Sequence, residues 1–273
     1  MALHPPLVDI GLNLAHDSFD HDRDHVVATA RSAGVEHMVI TGSTLESTRA
    51  AIELVSADPA RYRCTAGVHP HHAGELQEEH LPQLRALLAT PEVGAAGECG
   101  LDYFRNFSSH EDQERAFRWQ LELAIEARKP VFLHQRDGHE AFMAILRDYR
   151  PRLVGGVAHC FTGVERELRD YLDLGLSIGI TGWICDERRG QHLRELVRLI
   201  PLDRLMAETD APYLLPRDLN PKPSHRRNEP KYLPHVVKTI AACRSEPYEV
   251  VAAATTRNAL EFFGFAPGEE FRV

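Results

Sequence analysis

VGAAGECGLDYFRNFSSHEDQERAFRWQLELAIEARKPVFLH, residues 93–134, is the stretch whose reading decides the fold. Its first part, Val93–Glu98, is a short run of small and apolar residues, read as a buried strand. Glu111–Arg128 then places Phe117, Leu121, Ala124 and Ile125 on one stripe and charges elsewhere, the pattern of an amphipathic helix. Pro130–His134 is a second short apolar run. Strand, helix and strand in this order form a parallel crossover unit. Working outward, similar runs recur at Leu7–Asn13, Val35–Thr41, Tyr62–Val68, Leu153–His159, Leu176–Thr181 and Leu205–Asp210, each pair separated by enough chain for a helix. Eight strands alternating with helices predict an α/β fold, a TIM-like (β/α)8 barrel, whose usual size is about 250 residues. Two further helical segments, about 230–243 and 247–263, follow the eighth strand. No low-complexity linker interrupts the chain, so residues 1–273 read as a single domain.

Composition narrows the function classes. The 43% apolar and 26% charged content is that of a globular protein. No apolar run approaches a membrane span, and MALHPPLVDIGLN lacks a basic start and a small-residue cleavage site, so a cytoplasmic protein is expected. Cys64, Cys99, Cys160, Cys185 and Cys243 are odd in number and widely spaced, which suits free thiols. The formal charge of −9 argues against nucleic-acid binding over the whole surface. A polyanionic substrate must therefore be held by a local patch or by metal.

The chemistry lies at strand ends. Asn13, His69, Glu98, His134, His159 and Asp210 each close or follow a predicted strand. In a β/α barrel those ends share one face, so the residues converge although they are scattered in sequence. Two imidazoles and two carboxylates can hold a divalent ion and leave room for substrate oxygen. A single strand-end histidine reads as a loop residue, but His134 and His159 at equivalent positions on successive strands read as ligands. Glu98 is the candidate bridge between two ions. Asp210 is the candidate ligand that also accepts a proton from attacking water. Glu208, of the same strand parity as Asp210, is expected to point inward and orient a ligand or a cation. His71 and His72 read as solvated loop residues.

A second group concerns substrate. Arg105, Arg136, Arg188, Arg189, Arg217, Lys222, Arg226, Arg227 and Lys231 fall in loops after strands, with Tyr103, Phe104, Phe107, Phe161, Trp183 and Tyr213 among them. Cations for phosphates and rings for bases are what a single-stranded nucleic-acid groove requires.

Five segments carry a resemblance: GVHPHH (67–72), GECGLDYFRNFS (97–108), HCFTG (159–163), GITGWICDERRG (179–190) and ETDAPYLLPRDLNPKPSHRRNEP (208–230). Together they resemble the TatD family of metal-dependent deoxyribonucleases, and the last two resemble its TatD branch. The resemblance implies a barrel of the amidohydrolase-like superfamily and hydrolysis of DNA phosphodiesters, read as 3′–5′ trimming of single-stranded DNA or RNA. It implies Glu98, His134, His159 and Asp210 as metal ligands, with His69 lining the site; of the basic rim, Arg136, Arg226 and Arg227 are expected to face substrate together with His69. The ion is expected to be Mg or Mn, with Zn also suited to imidazole. Most relatives begin with Asp-x-His-x-His, whereas this chain has Asp9-Ile10-Gly11-Leu12-Asn13. One firm ion site and a weaker one near Asp210 and Asn13 are therefore expected. No membrane association or obligate protein partner is expected.

Two other functions compete. A metal-dependent amidohydrolase or lactonase would use the same barrel on a small molecule, but gains nothing from a basic rim. A non-enzymatic metal-binding or partner-recognition barrel would make Glu98 dispensable for turnover.

Overall fold

The computed structural model describes residues 5–265. The ends of the span 1–273 lie outside the described residues. The strands are β1 (Leu7–Leu12), β2 (Val35–Ile40), β3 (Tyr62–Ala66), β4 (Val93–Asp102), β5 (Val131–Arg136), β6 (Gly156–Ala158), β7 (Ser177–Ile180) and β8 (Leu205–Ala207). They follow one another in a single sheet in the order β1 to β8. Consecutive order with helices between the strands is the (β/α)8 arrangement. The helices are α1 (Arg23–Ser32), α2 (Leu45–Ser56), α3 (Leu81–Leu88), α4 (His110–Ala127), α5 (His139–Tyr149), α6 (Glu165–Asp173), α7 (Gln191–Leu196), α8 (Leu233–Arg244) and α9 (Tyr248–Phe262). None of the described helices is long and apolar enough to cross a membrane.

The chain groups into two compact units. One comprises residues up to Ile40, Cys160–Glu165 and the chain from Ser177 onward; the other comprises Thr41–His159 and Arg166–Leu176. In the second unit β3, β4, β5 and β6 pair in parallel. Its core includes Phe117 and Phe142, stacked with ring centroids 5.3 Å apart. In the first unit β1 pairs with β2 and β7 with β8, and a bridge from Leu12 to Ala211 joins β1 to the chain after β8.

α4 shows how local sequence makes these elements. Ser109 caps it by accepting a hydrogen bond from the Asp112 amide at 3.1 Å, and Glu111 and Asp112 complement the dipole of the first turn. Arg128, at φ 51°, ends it in the left-handed region. Phe117, Leu121 and Ala124 are buried as the periodicity predicts, and Ile125 is only partly so.

β4 is longer than predicted. It continues four residues past Glu98, with Asp102 in register with Arg136 of β5. Gly97 and Gly100 lie at φ 133° and 144°, where a Cβ would collide with the carbonyls of Phe132 and His134 on β5. Only glycine permits that approach, so these two residues prolong the strand instead of ending it. β6 is shorter than expected, Gly156–Ala158, and is preceded by a 3-10 turn at Arg150–Arg152.

Candidate functional site

In the second unit, three imidazoles surround one carboxylate oxygen. Glu98 Oε1 lies 2.7 Å from His159 Nε2, 2.9 Å from His134 Nδ1 and 3.3 Å from His69 Nε2. His69, Glu98 and His134 present ligand atoms within 4.8 Å of one another. Glu98, His134 and His159 therefore come together as the sequence predicts, and His69 lines the same cluster.

Two residues join them that sequence reasoning missed. Asp102 is buried, and its Oδ2 lies 2.7 Å from His71 Nε2 and 3.7 Å from His134 Nε2. Its Oδ1 accepts the amides of Phe104 and Arg105 at 3.0 and 2.8 Å, which fixes the turn after β4. His71, expected to be solvated, instead packs edge-on against His69 with ring centroids 4.2 Å apart and is held by Asp102. His72 does lie at the surface, paired with Glu75 at 3.0 Å. The missed signal was Gly100-Leu101-Asp102. Asp102 shares strand parity with Gly100, the register partner of His134.

Helix α4 positions this cluster through two buried glutamines one heptad apart. Gln120 Oε1 accepts from the Val68 amide at 2.7 Å and its Nε2 donates to the Val68 carbonyl at 3.0 Å, immediately before His69. Gln113 does the same for Asp102, at 2.8 and 3.1 Å. Each side-chain amide thus acts as a strand partner for one residue of backbone. These satisfied groups leave the imidazoles little freedom.

The electrostatics follow from burial and neighbours. Burial penalises the Glu98 carboxylate, but His159, His69 and the hydrogen bonds of His134 and His159 outweigh it and hold the group well below the usual carboxylate range. Burial lowers His69 to about 4 despite the attraction of Glu98. His134 is raised, because the Asp102 and Glu98 carboxylates beside it overcome its burial. An anionic carboxylate among imidazoles is a donor set that a divalent cation fits. The fit has a direct mark: His134 Nε2 is buried with no hydrogen-bond partner.

The first unit holds Asp210. It sits at φ 56°, its amide donating to the Gly11 carbonyl at 2.7 Å, and its Oδ1 accepts from Asn13 Nδ2 at 3.2 Å. Asn13 therefore turns its amide nitrogen, not its carbonyl oxygen, toward Asp210. Glu208 is fully buried and accepts the Cys160 amide. Its other oxygen lies where a side chain on residue 11 would begin, so any side chain there would have to displace the Glu208 carboxylate.

The basic and aromatic loops divide. In the second unit, Arg136 lies over the exposed Phe104 ring, 3.8 Å from guanidinium carbon to centroid, and Phe107 is also exposed. In the first unit, an open groove of about 1310 Å³ is lined by Trp183, Arg188, Arg189, Arg217, Lys222 and Arg226 among others. Arg227, placed on the rim by the sequence, is committed elsewhere: its guanidinium bonds Asp22 at 2.6 and 2.8 Å and Glu229 at 3.2 Å, over the Phe19 ring. Lys231 pairs with Glu229 at 2.6 Å, and Phe161 is buried. These three serve packing and charge neutralisation in their own unit.

A (β/α)8 fold with a carboxylate–imidazole cluster at its strand ends defines the metal-dependent hydrolase class of barrels. The TatD related DNase family matches residues 8–264, and the chain belongs to it. A protein of Pantoea sp. (strain At-9b) called 3′-5′ ssDNA/RNA exonuclease TatD is 52% identical over 260 residues, 95% of this chain and 100% of its own. The crystal structure of a TatD family hydrolase from Entamoeba histolytica superposes with a TM-score of 0.87 at 26% identity, covering 97% of this chain and 100% of that one. An amidohydrolase from Saccharomyces cerevisiae, at 22% identity and TM-score 0.80 over 95% of this chain and 100% of its own, shares the fold.

Proposed function

We propose that the protein is a divalent-metal-dependent 3′–5′ exonuclease acting on single-stranded DNA or RNA. The observation that carries the proposal is the Glu98 carboxylate oxygen within 2.7–3.3 Å of three imidazole nitrogens, beside a buried His134 nitrogen that makes no hydrogen bond. The printed name of the Pantoea relative supports the substrate and polarity. Glu98, His134 and His159 would hold the ion, and Asp210, three residues past β8, would complete the set because the loops after the strands share one face in this fold. When bound, the ion supplies Lewis acidity, acidifying water and polarising a phosphoryl oxygen. Mg or Mn would serve phosphodiester chemistry, and Zn also suits the imidazoles.

The chain's own residues do the rest. Asp210 takes a proton from the attacking water. Its acceptor oxygen is oriented by Asn13. His69, with its low basicity, lines the site as a neutral imidazole. Arg136 and Arg226 hold phosphates, while Phe104 and Trp183 offer ring faces to bases. An open groove suits a polymer better than a small cyclic amide, which needs enclosure. None of the five cysteines is in a disulfide, as a reducing, cytoplasmic setting would keep them.

The test is a time course on end-labelled single-stranded DNA and RNA with Mg, Mn or Zn. A 5′ label should yield a ladder shortening from the 3′ end only when metal is present, and His134→Ala should abolish it. Shortening in chelator, or undiminished in His134→Ala, would overturn the reading.

A further inference from the structure

Away from the Glu98 cluster, three metal-capable side chains of different kinds converge in the first unit. Cys185 ends a 3-10 turn (Gly182–Cys185), Asp218 belongs to the loop lining the groove, and His235 lies in the first turn of α8. Their ligand atoms lie within 4.8 Å of one another. We propose that Cys185, Asp218 and His235 form a second cation site of zinc type, which ties the groove loop to helix α8.

The chemistry selects the class of ion. Thiolate, imidazole and carboxylate together suit zinc and disfavour Mg, which wants oxygen alone. Zinc bond lengths put neighbouring ligand atoms roughly 3.3–3.6 Å apart in a tetrahedron. Asp218 Oδ1 and His235 Nε2, now 2.7 Å apart, would open slightly to admit the ion, and the widest separation would close by about an ångström. Both are side-chain adjustments. The Cys185 thiol makes a long contact to the Thr239 hydroxyl at 3.5 Å and interacts with Asp218, and Thr239 donates in turn to the His235 carbonyl at 3.0 Å. Access exists on both sides, because Asp218 faces the groove and His235 lines a separate pocket of about 470 Å³.

Charge and protons balance. Without the ion, burial pushes the thiol up to about 12, so it is protonated. On binding, the S–H proton leaves to solvent as the sulfur–metal bond forms, so affinity rises with pH. Thiolate and carboxylate neutralise the double charge. Arg194, 4.0 Å from Asp218 Oδ2, is a nearby cation that opposes binding, and its Nε is occupied by the Ile184 carbonyl at 3.0 Å. Three protein ligands leave a fourth position for water.

The consequence falls on the groove wall. Asp186, next to Cys185, pairs with Arg217 at 2.9 Å and lies 3.8 Å from Arg188. A cation beneath it would hold this wall in place. Any effect on nucleic-acid retention rests on the nuclease reading, whereas cation binding does not.

Cobalt serves as the probe, because a thiolate ligand gives it a near-ultraviolet charge-transfer band. The full chain carrying Glu98→Gln, which disables the other centre, is titrated with Co²⁺ and the band is followed. The band should appear, should vanish in Glu98→Gln/Cys185→Ser, and should need about tenfold more cobalt in Glu98→Gln/His235→Ala. Displacement by Zn²⁺ should bleach it. No band in Glu98→Gln, or one unchanged by both Cys185→Ser and His235→Ala, would overturn the site. If Cys185→Ser fails to fold, the His235→Ala titration decides alone. No nuclease assay enters, so failure here is distinct from failure of the proposed activity.

Discussion

Glu98 and Asp9 are both buried strand carboxyls, and their surroundings drive them in opposite directions. Asp9 accepts from the Thr209 amide at 2.9 Å, from the Thr209 hydroxyl and from the Gly11 amide at 3.3 Å. Those neutral donors do not offset burial, with Glu208 adding repulsion, so its carboxyl is pushed up to about 7. Glu98 meets imidazoles, which carry positive charge or accept a metal, and it is held low. Burial alone does not mark a functional carboxylate. The identity of its partners does: fixed neutral donors make a structural clasp, and exchangeable rings make a ligand site.

The comparison breaks most sharply at Glu98. Glu98→Gln should keep the fold, by circular dichroism, and lower nuclease turnover by more than the roughly 10–100-fold typical of changes that only orient a ligand. A smaller loss would place Glu98 with Asp9 as a structural group.

Asp9→Asn should act on stability instead. A raised folded-state pKa means that the carboxyl's contribution is complete below its ordinary value, roughly pH 4, and is lost as pH rises through about 7. Wild type should therefore be about 1–3 kcal/mol more stable than Asp9→Asn at low pH, with the gap narrowing toward pH 8. Denaturant melts at several pH values check this, and a gap that widens with pH would contradict it.

Gln120→Leu removes the clamp on Val68 and should reduce turnover about tenfold by loosening His69, with about 1 kcal/mol of stability lost. Gln120→Glu keeps one hydrogen bond and should lie between. Arg226→Ala has the smallest expected effect: substrate binding weakened a few-fold, and the salt dependence of binding reduced by about one charge. Arg227→Ala should leave that salt dependence unchanged and lower the melting temperature, because Asp22 and Glu229 lose their partner.

These contrasts also mark what the sequence could show. Glu98, His134 and His159 were legible because metal-capable residues at strand ends imply a shared face. Asp102 was hidden because Gly97 and Gly100 look like a strand terminus, and their close approach to β5 is a tertiary fact. Gln113 and Gln120 read as the polar side of a helix, and nothing local says that their amides meet strand backbone. Arg226 and Arg227 are adjacent and identical in type. They differ through Asp22, 205 positions from Arg227 in sequence, and Glu229, which hold Arg227 alone. The eight-strand fold was legible because its periodicity is local, whereas the pairing of charges is not.

The central claim is that Glu98, His134 and His159 ligate one cation. Anomalous diffraction from crystals soaked in Mn²⁺ tests it most directly. The account predicts a peak with Glu98 oxygen and both imidazole nitrogens at about 2.0–2.3 Å. A well-occupied peak elsewhere, with these three side chains still bonded only to each other, would contradict it.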